Sequence, residues 1–124
     1  MNKLDTMRRR NDIARLVRAN NRCGSHRNCI RINVGNTLAH ELTKLEIARE
    51  RMIAGHEIIT EAEFVTGGRA DILDLDEAEV IEVLASESEH EALIKARKYP
   101  QQLRITTMRI RKEGDANGTR NSEA

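Results

Sequence analysis

The sequence predicts one α/β (α+β) domain, and three observations lead there. Its 124 residues suffice for a single compact domain of ordinary size. Short runs of alternating apolar residues are interleaved with two helical stretches of amphipathic spacing. The core these can build is aliphatic, because 39% of residues are apolar but there is one Phe, one Tyr and no Trp. No apolar run is long enough to span a bilayer, and the Arg-rich start lacks a signal-peptide core. Two cysteines are too few for a disulfide scaffold. The expectation is a soluble, cytoplasmic (intracellular) protein with no membrane partner.

Along the chain, residues 5–19 read as a short basic helix with Ile13, Leu16 and Val17 on one side. After a polar break, Ile30, Ile32 and Val34 alternate with Arg31 and Asn33, which predicts a short strand. Asn36 can cap the next helix, Leu38, Leu42, Leu45 and Met52 form its apolar stripe, and Gly55 stops it. Residues 57–65 are β-like, Gly67-Gly68 turns the chain, and Arg69–Leu75 and Glu79–Ala85 form a hairpin around Asp76-Glu77. Ser86 with Glu89 fits a capping box for a helix that Pro100 ends near Tyr99. Leu103, Ile105, Thr107 and Ile110 suggest a last strand. The expected organisation is a basic N-terminal extension (1–35), a core (36–111) running helix, three strands, helix, strand, and a disordered tail (112–124).

The net charge of +1 conceals a segregation. Residues 1–35 hold nine Lys/Arg against two acids, residues 36–94 hold four against fifteen, and residues 95–112 hold seven against none. Two basic segments around an acidic centre suggest an anionic polymer as partner, with a cation between the acids and its phosphates.

The hairpin sharpens this. A turn centred on Asp76-Glu77 places Asp71 directly opposite Glu82 in otherwise apolar strands, where like charges repel. Glu41 falls at the edge of the apolar stripe of the first core helix and needs a partner there. His40 and His56 are expected to face solvent. Cys23, His26 and Cys29 have x2 spacing, but structural zinc takes four ligands and no fourth is evident short of His40, so free thiols are expected.

The element order, a Glu on the first helix, and the segments Gly67-Gly68-Arg69-Ala70-Asp71 and Ile81-Glu82-Val83-Leu84 together resemble the PD-(D/E)XK (restriction-endonuclease-like) nuclease superfamily. The resemblance covers residues 36–111 and is greatest to small members from archaea and archaeal viruses. It implies a mixed central sheet flanked by helices, and a Mg²⁺ site that also accepts Mn²⁺. Asp71, Glu82 and the Val83 carbonyl would be ligands, with Glu41 joining them. The implied activity is DNA phosphodiester hydrolysis by an endonuclease, including structure-specific, resolvase-like roles. Small members often dimerise, so a homodimer is compatible with it.

Two departures stand out. Ala70 replaces the motif proline, and Leu84 occupies the place of the motif lysine, which positions water and offsets negative charge. In some members that lysine has moved to the following helix, where Lys95 is the preferred candidate and Lys98 the alternative. Arg8, Arg9, Arg10, Arg15, Arg18, Arg69 and Lys98 are candidates for the nucleic-acid backbone. The competing reading is a catalytically inactive DNA-binding or protein-interaction module on the same fold.

Overall fold

Four strands of six residues each form one mixed sheet in a computed structural model of the protein, in which residues 2–19 and 26–110 are described. The elements are α1 (Lys3–Ala14), α2 (Leu38–Ile53), β1 (Ile58–Glu63), β2 (Arg69–Asp74), β3 (Glu79–Leu84), α3 (Glu89–Lys95) with a 3₁₀ turn (Ala96–Lys98), and β4 (Arg104–Arg109). Sheet order is β1-β2-β3-β4, antiparallel for the first two pairings and parallel between β3 and β4. The protein is thus α+β, with the expected core order of helix, three strands, helix, strand. The expected tail (112–124) and Cys23 lie outside the described residues.

Alternation along the strands splits the core in two. Ile58, Ile72, Ile81 and Val83 pack against Ile47 and Ala48 of α2. Ile59, Leu73, Leu75 and Val80 pack with Phe64, Tyr99 and Leu103 on the other face, where Val17 is also buried and Ile13, Ala14 and Leu16 close over it. Both faces are covered, which is why β3 is buried at every position.

Several boundaries differ from the sequence expectation. The first helix is residues 3–14, capped by Asn2, rather than 5–19. Thr37, not Asn36, caps α2, and its hydroxyl accepts from the His40 amide. The capping box of α3 is Ser88 with Glu91, two residues beyond the predicted Ser86 and Glu89. No strand forms over 30–34. That segment instead meets the free edge of β1 through side chains: the Arg31 amide donates to the Thr60 hydroxyl (2.8 Å), which donates to the Cys29 carbonyl (2.9 Å). Farther along the same strand's end, Arg18 donates to the Glu63 carbonyl and Val65 to that of Leu16. The N-terminal segment therefore covers an edge that would otherwise be open to pairing.

The largest difference is the orientation of α2. Its predicted stripe faces outward, with Leu38, Leu42, Leu45 and Met52 74%, 49%, 42% and 36% exposed. The buried face carries His40, Glu41, Lys44, Ile47 and Ala48.

Candidate functional site

β2 and β3 pair only from the turn as far as Ile72 and Ile81. Each of these pairs has residue numbers in the same register that sets Asp71 across from Glu82. Beyond them the ladder stops, and the Asp71 carboxylate accepts the Val83 amide at 2.8 Å. On the other side of β2, Glu61 is the one position skipped between Thr60↔Ile72 and Ala62↔Ala70, and its φ is +51°. A left-handed glutamate inside a strand is strained, and such strain gathers where side chains are re-aimed. Three carboxylates, Glu61, Asp71 and Glu82, therefore lie in a row across the sheet where its main-chain pairing is broken.

Side chains from both layers converge on this row. His40 Nδ1 lies 2.8 Å from Glu41 Oε2, and its Nε2 lies 3.4 Å from Asp71 Oδ2. Lys44, fully buried, donates to Glu41 (2.7 Å), Glu61 (3.3 Å) and the Arg31 carbonyl (2.7 Å). The Asn33 amide and the Asn36 side chain complete the Glu41 carboxylate, and the Asn33 side chain reaches Glu61 at 3.0 Å. From the opposite side, the Tyr99 hydroxyl lies on the Arg69 carbonyl (2.8 Å) and on Glu82 Oε1. That hydroxyl has a single proton and two oxygen partners, so a proton on Glu82 lets both contacts be hydrogen bonds. Gly68 makes room for the ring: its φ is +84°, and a Cβ there would stand 2.7 Å from Tyr99 Cε1. Among the described residues, no buried side-chain polar atom lacks a partner.

Electrostatics separate the two facing acids. Burial, with the Asp71 charge beside it, pushes Glu82 up to about 8, against weaker opposing help from Tyr99 and Lys95. Burial also acts on Asp71 but is outweighed by His40 and the Val83 amide, which hold its carboxyl below the usual range. The pair therefore holds one proton near neutral pH. His40 is raised to about 9, chiefly by its bond to Asp71 and then by Glu41, against the cost of burial. Glu41 is lowered to about 2, because the Asn33 amide, Lys44 and His40 outweigh its burial.

The sequence candidates are distributed around this centre. Asp71 and Glu82 are adjacent, whereas Glu41 reaches them only through His40, its own oxygens being engaged by Asn33, Asn36, His40 and Lys44. Lys95 lines a cavity of about 440 Å³ with Arg18, Glu63, Phe64, Gly67, Gly68 and Arg69, and its charge is felt at Glu82. Lys98 is exposed beside the same glycine turn. Leu84 is buried. Of the other basic candidates, Arg8 is exposed, Arg9 donates to the Asp76 carbonyl, and Arg15 pairs with Asp12. Arg10 is half-buried between Asp76 and Glu57, as a structural tie.

His40, Lys44, Glu61 and Tyr99 were not expected in the site. His40 in particular is buried rather than solvent-facing, and His56 is bonded to Asp74 at 2.7 Å. The signal for the first two was present, since His40, Glu41 and Lys44 share one helical face at i, i+1 and i+4.

A divalent cation was expected here. Among the described residues no group of three His, Cys, Asp or Glu is arranged to hold a metal ion. Asp71 and Glu82 offer two adjacent hard oxygens whose mutual repulsion a cation would relieve. Comparison with known proteins returns no matching family model, no matching curated protein and no matching solved structure. Among the described residues no helix is long and apolar enough to cross a membrane.

Proposed function

We propose that the protein is a Mg²⁺-dependent DNA endonuclease of the PD-(D/E)XK type. The observation that carries this reading is the Asp71–Glu82 pair, two carboxylates set opposite each other at the break in the β2–β3 ladder, where Asp71 takes the Val83 amide in place of a main-chain partner. Asp71 and Glu82 are the residues that would hold the cation, Mn²⁺ serving as substitute. The ion would supply charge neutralisation on the phosphate and an oriented water. His40 fixes the Asp71 carboxylate, and Tyr99 fixes that of Glu82. Arg18 and Arg69 set two cations round the adjoining cavity, suited to the flanking phosphates. Lys95 is preferred over Lys98 for the missing motif lysine because its charge reaches Glu82.

A second reading, an inactive DNA-binding or protein-interaction module, is favoured by the buried Leu84 and by the ion pair of His40 with Asp71. Incubation with linear, single-stranded, flapped and four-way DNAs in Mg²⁺ or Mn²⁺ separates the two. Cleavage that disappears in Asp71→Asn and Glu82→Gln supports the nuclease. Binding without cleavage in either metal leaves the module.

A further inference from the structure

The outward face of α2 repeats with a spacing that the packing of this chain does not use. Leu38, Leu42, Leu45, Arg49 and Met52 follow one another at intervals of four, three, four and three residues. This is the spacing of the seam in a two-helix coiled coil, where each side chain fits a hole between residues of a facing helix. All five are exposed. Ile30, Leu45, Arg49, Met52 and Ile53 also line a groove of about 350 Å³ beside the ridge, a ready hole for an incoming leucine. The residues outside the described ones, 1, 20–25 and 111–124, contain no Leu, Ile, Val or aromatic residue that could fill it.

We propose that this face pairs two copies of the chain, α2 against α2, antiparallel about a two-fold axis. Self-pairing needs a seam complementary to itself, and a 4-3-4-3 row meets that condition. The charges choose the direction. A parallel pair sets Arg49 against the partner's Arg49 within the seam. An antiparallel pair sets Leu42 near the partner's Met52 and brings Glu46 to the partner's Arg49, twice by symmetry. Among the described residues, neither Glu46 nor Arg49 makes an ion pair within the chain, so both are available to do so. A lipid surface fits less well, because Glu46 and Glu50 border the ridge together with Arg49 and offer no cationic rim. This inference is independent of the nuclease reading, since it uses none of the inward-facing residues.

The test is sedimentation of the full chain across the micromolar range, with circular dichroism as control for folding. The expected result is a dimer for the wild type and monomers, still folded, for Leu42→Glu and for Leu45→Glu. Glu46→Arg alone should weaken the dimer roughly tenfold, because the two-fold axis doubles each contact. Adding Arg49→Glu to it should restore association. A wild type that stays monomeric overturns the proposal, including one that binds anionic vesicles instead. So does a dimer that survives both leucine substitutions, and a double charge swap that restores nothing overturns the antiparallel arrangement.

Discussion

His40 Nε2 stands 3.4 Å from Asp71 Oδ2, so a histidine on the helix that covers one side of the sheet is ionically tied to a carboxylate at the break in its ladder. The same ring holds Glu41 through Nδ1. One imidazolium thus connects the two acids that the sequence places thirty residues apart.

Stability should decline on the alkaline side of neutrality. His40 is raised to about 9, so its stabilising effect is complete below its ordinary value of 6.5 and is lost as pH rises through 9. Glu82 is raised from 4.5 to about 8, so its destabilising effect is absent at acid pH and complete above 8. Glu41 works from the other side: lowered to about 2, it stabilises above 4.5 and ceases to as pH falls through 2. Denaturant unfolding from pH 4 to pH 10 should show a maximum near pH 5 and a fall through pH 9. A curve flat from pH 6 to pH 9 would contradict this assignment.

Glu82→Gln should raise apo stability at pH 9 while leaving it nearly unchanged at pH 5, because Gln keeps a polar contact for Tyr99 and removes the repulsion with Asp71. Calorimetric titration with Mg²⁺ or Mn²⁺ should show binding lost in the variant, and proton release on binding in the wild type below pH 8. Loss of stability at both pH values would mean that the pair is favourable and shares no proton.

Lys44→Met should destabilise the fold by about 3–5 kcal/mol, since it leaves Glu41 and Glu61 buried without their shared cation. The exposed Lys98→Ala should change stability by no more than about 0.5 kcal/mol. Thermal melts of the two variants side by side decide it.

Lys95→Ala should push the Glu82 carboxyl still higher, because Lys95 is one of the charges that hold it down. Metal binding should then shift to higher pH, and turnover should fall with little change in DNA affinity. Lys98→Ala should chiefly weaken DNA binding. A reversed pattern would move the assisting role to Lys98.

The β2–β3 register was legible because Asp76-Glu77 marks its turn and apolar alternation on both sides fixes the pairing. That alone places Asp71 opposite Glu82. The inward face of α2 was not legible. Periodicity analysis turns the apolar row toward the core, and here Leu38, Leu42 and Leu45 point outward. A row of His40, Glu41 and Lys44 can be buried because its charges neutralise one another, and that is visible only once Glu61 and Asp71 are in place. Glu61 itself was hidden by its backbone: no alternation pattern announces a left-handed residue inside a strand. Tyr99 belongs to the apolar core, and only its hydroxyl oxygen reaches the site, which no spacing of apolar residues shows.

The short β2–β3 ladder also determines how the sheet yields. Main-chain bonding joins these strands only over the three pairs nearest the turn, while the far end is fastened by Asp71 on the Val83 amide and by Tyr99 on Glu82. Fastenings of that kind respond to charge, whereas main-chain rungs do not. The two strands therefore behave as a clasp hinged at Asp76-Glu77, whose open end loosens when protons leave it. The Val83 amide should exchange with deuterium faster than that of Ile81, by a margin that widens with alkalinity beyond the ordinary base catalysis of exchange.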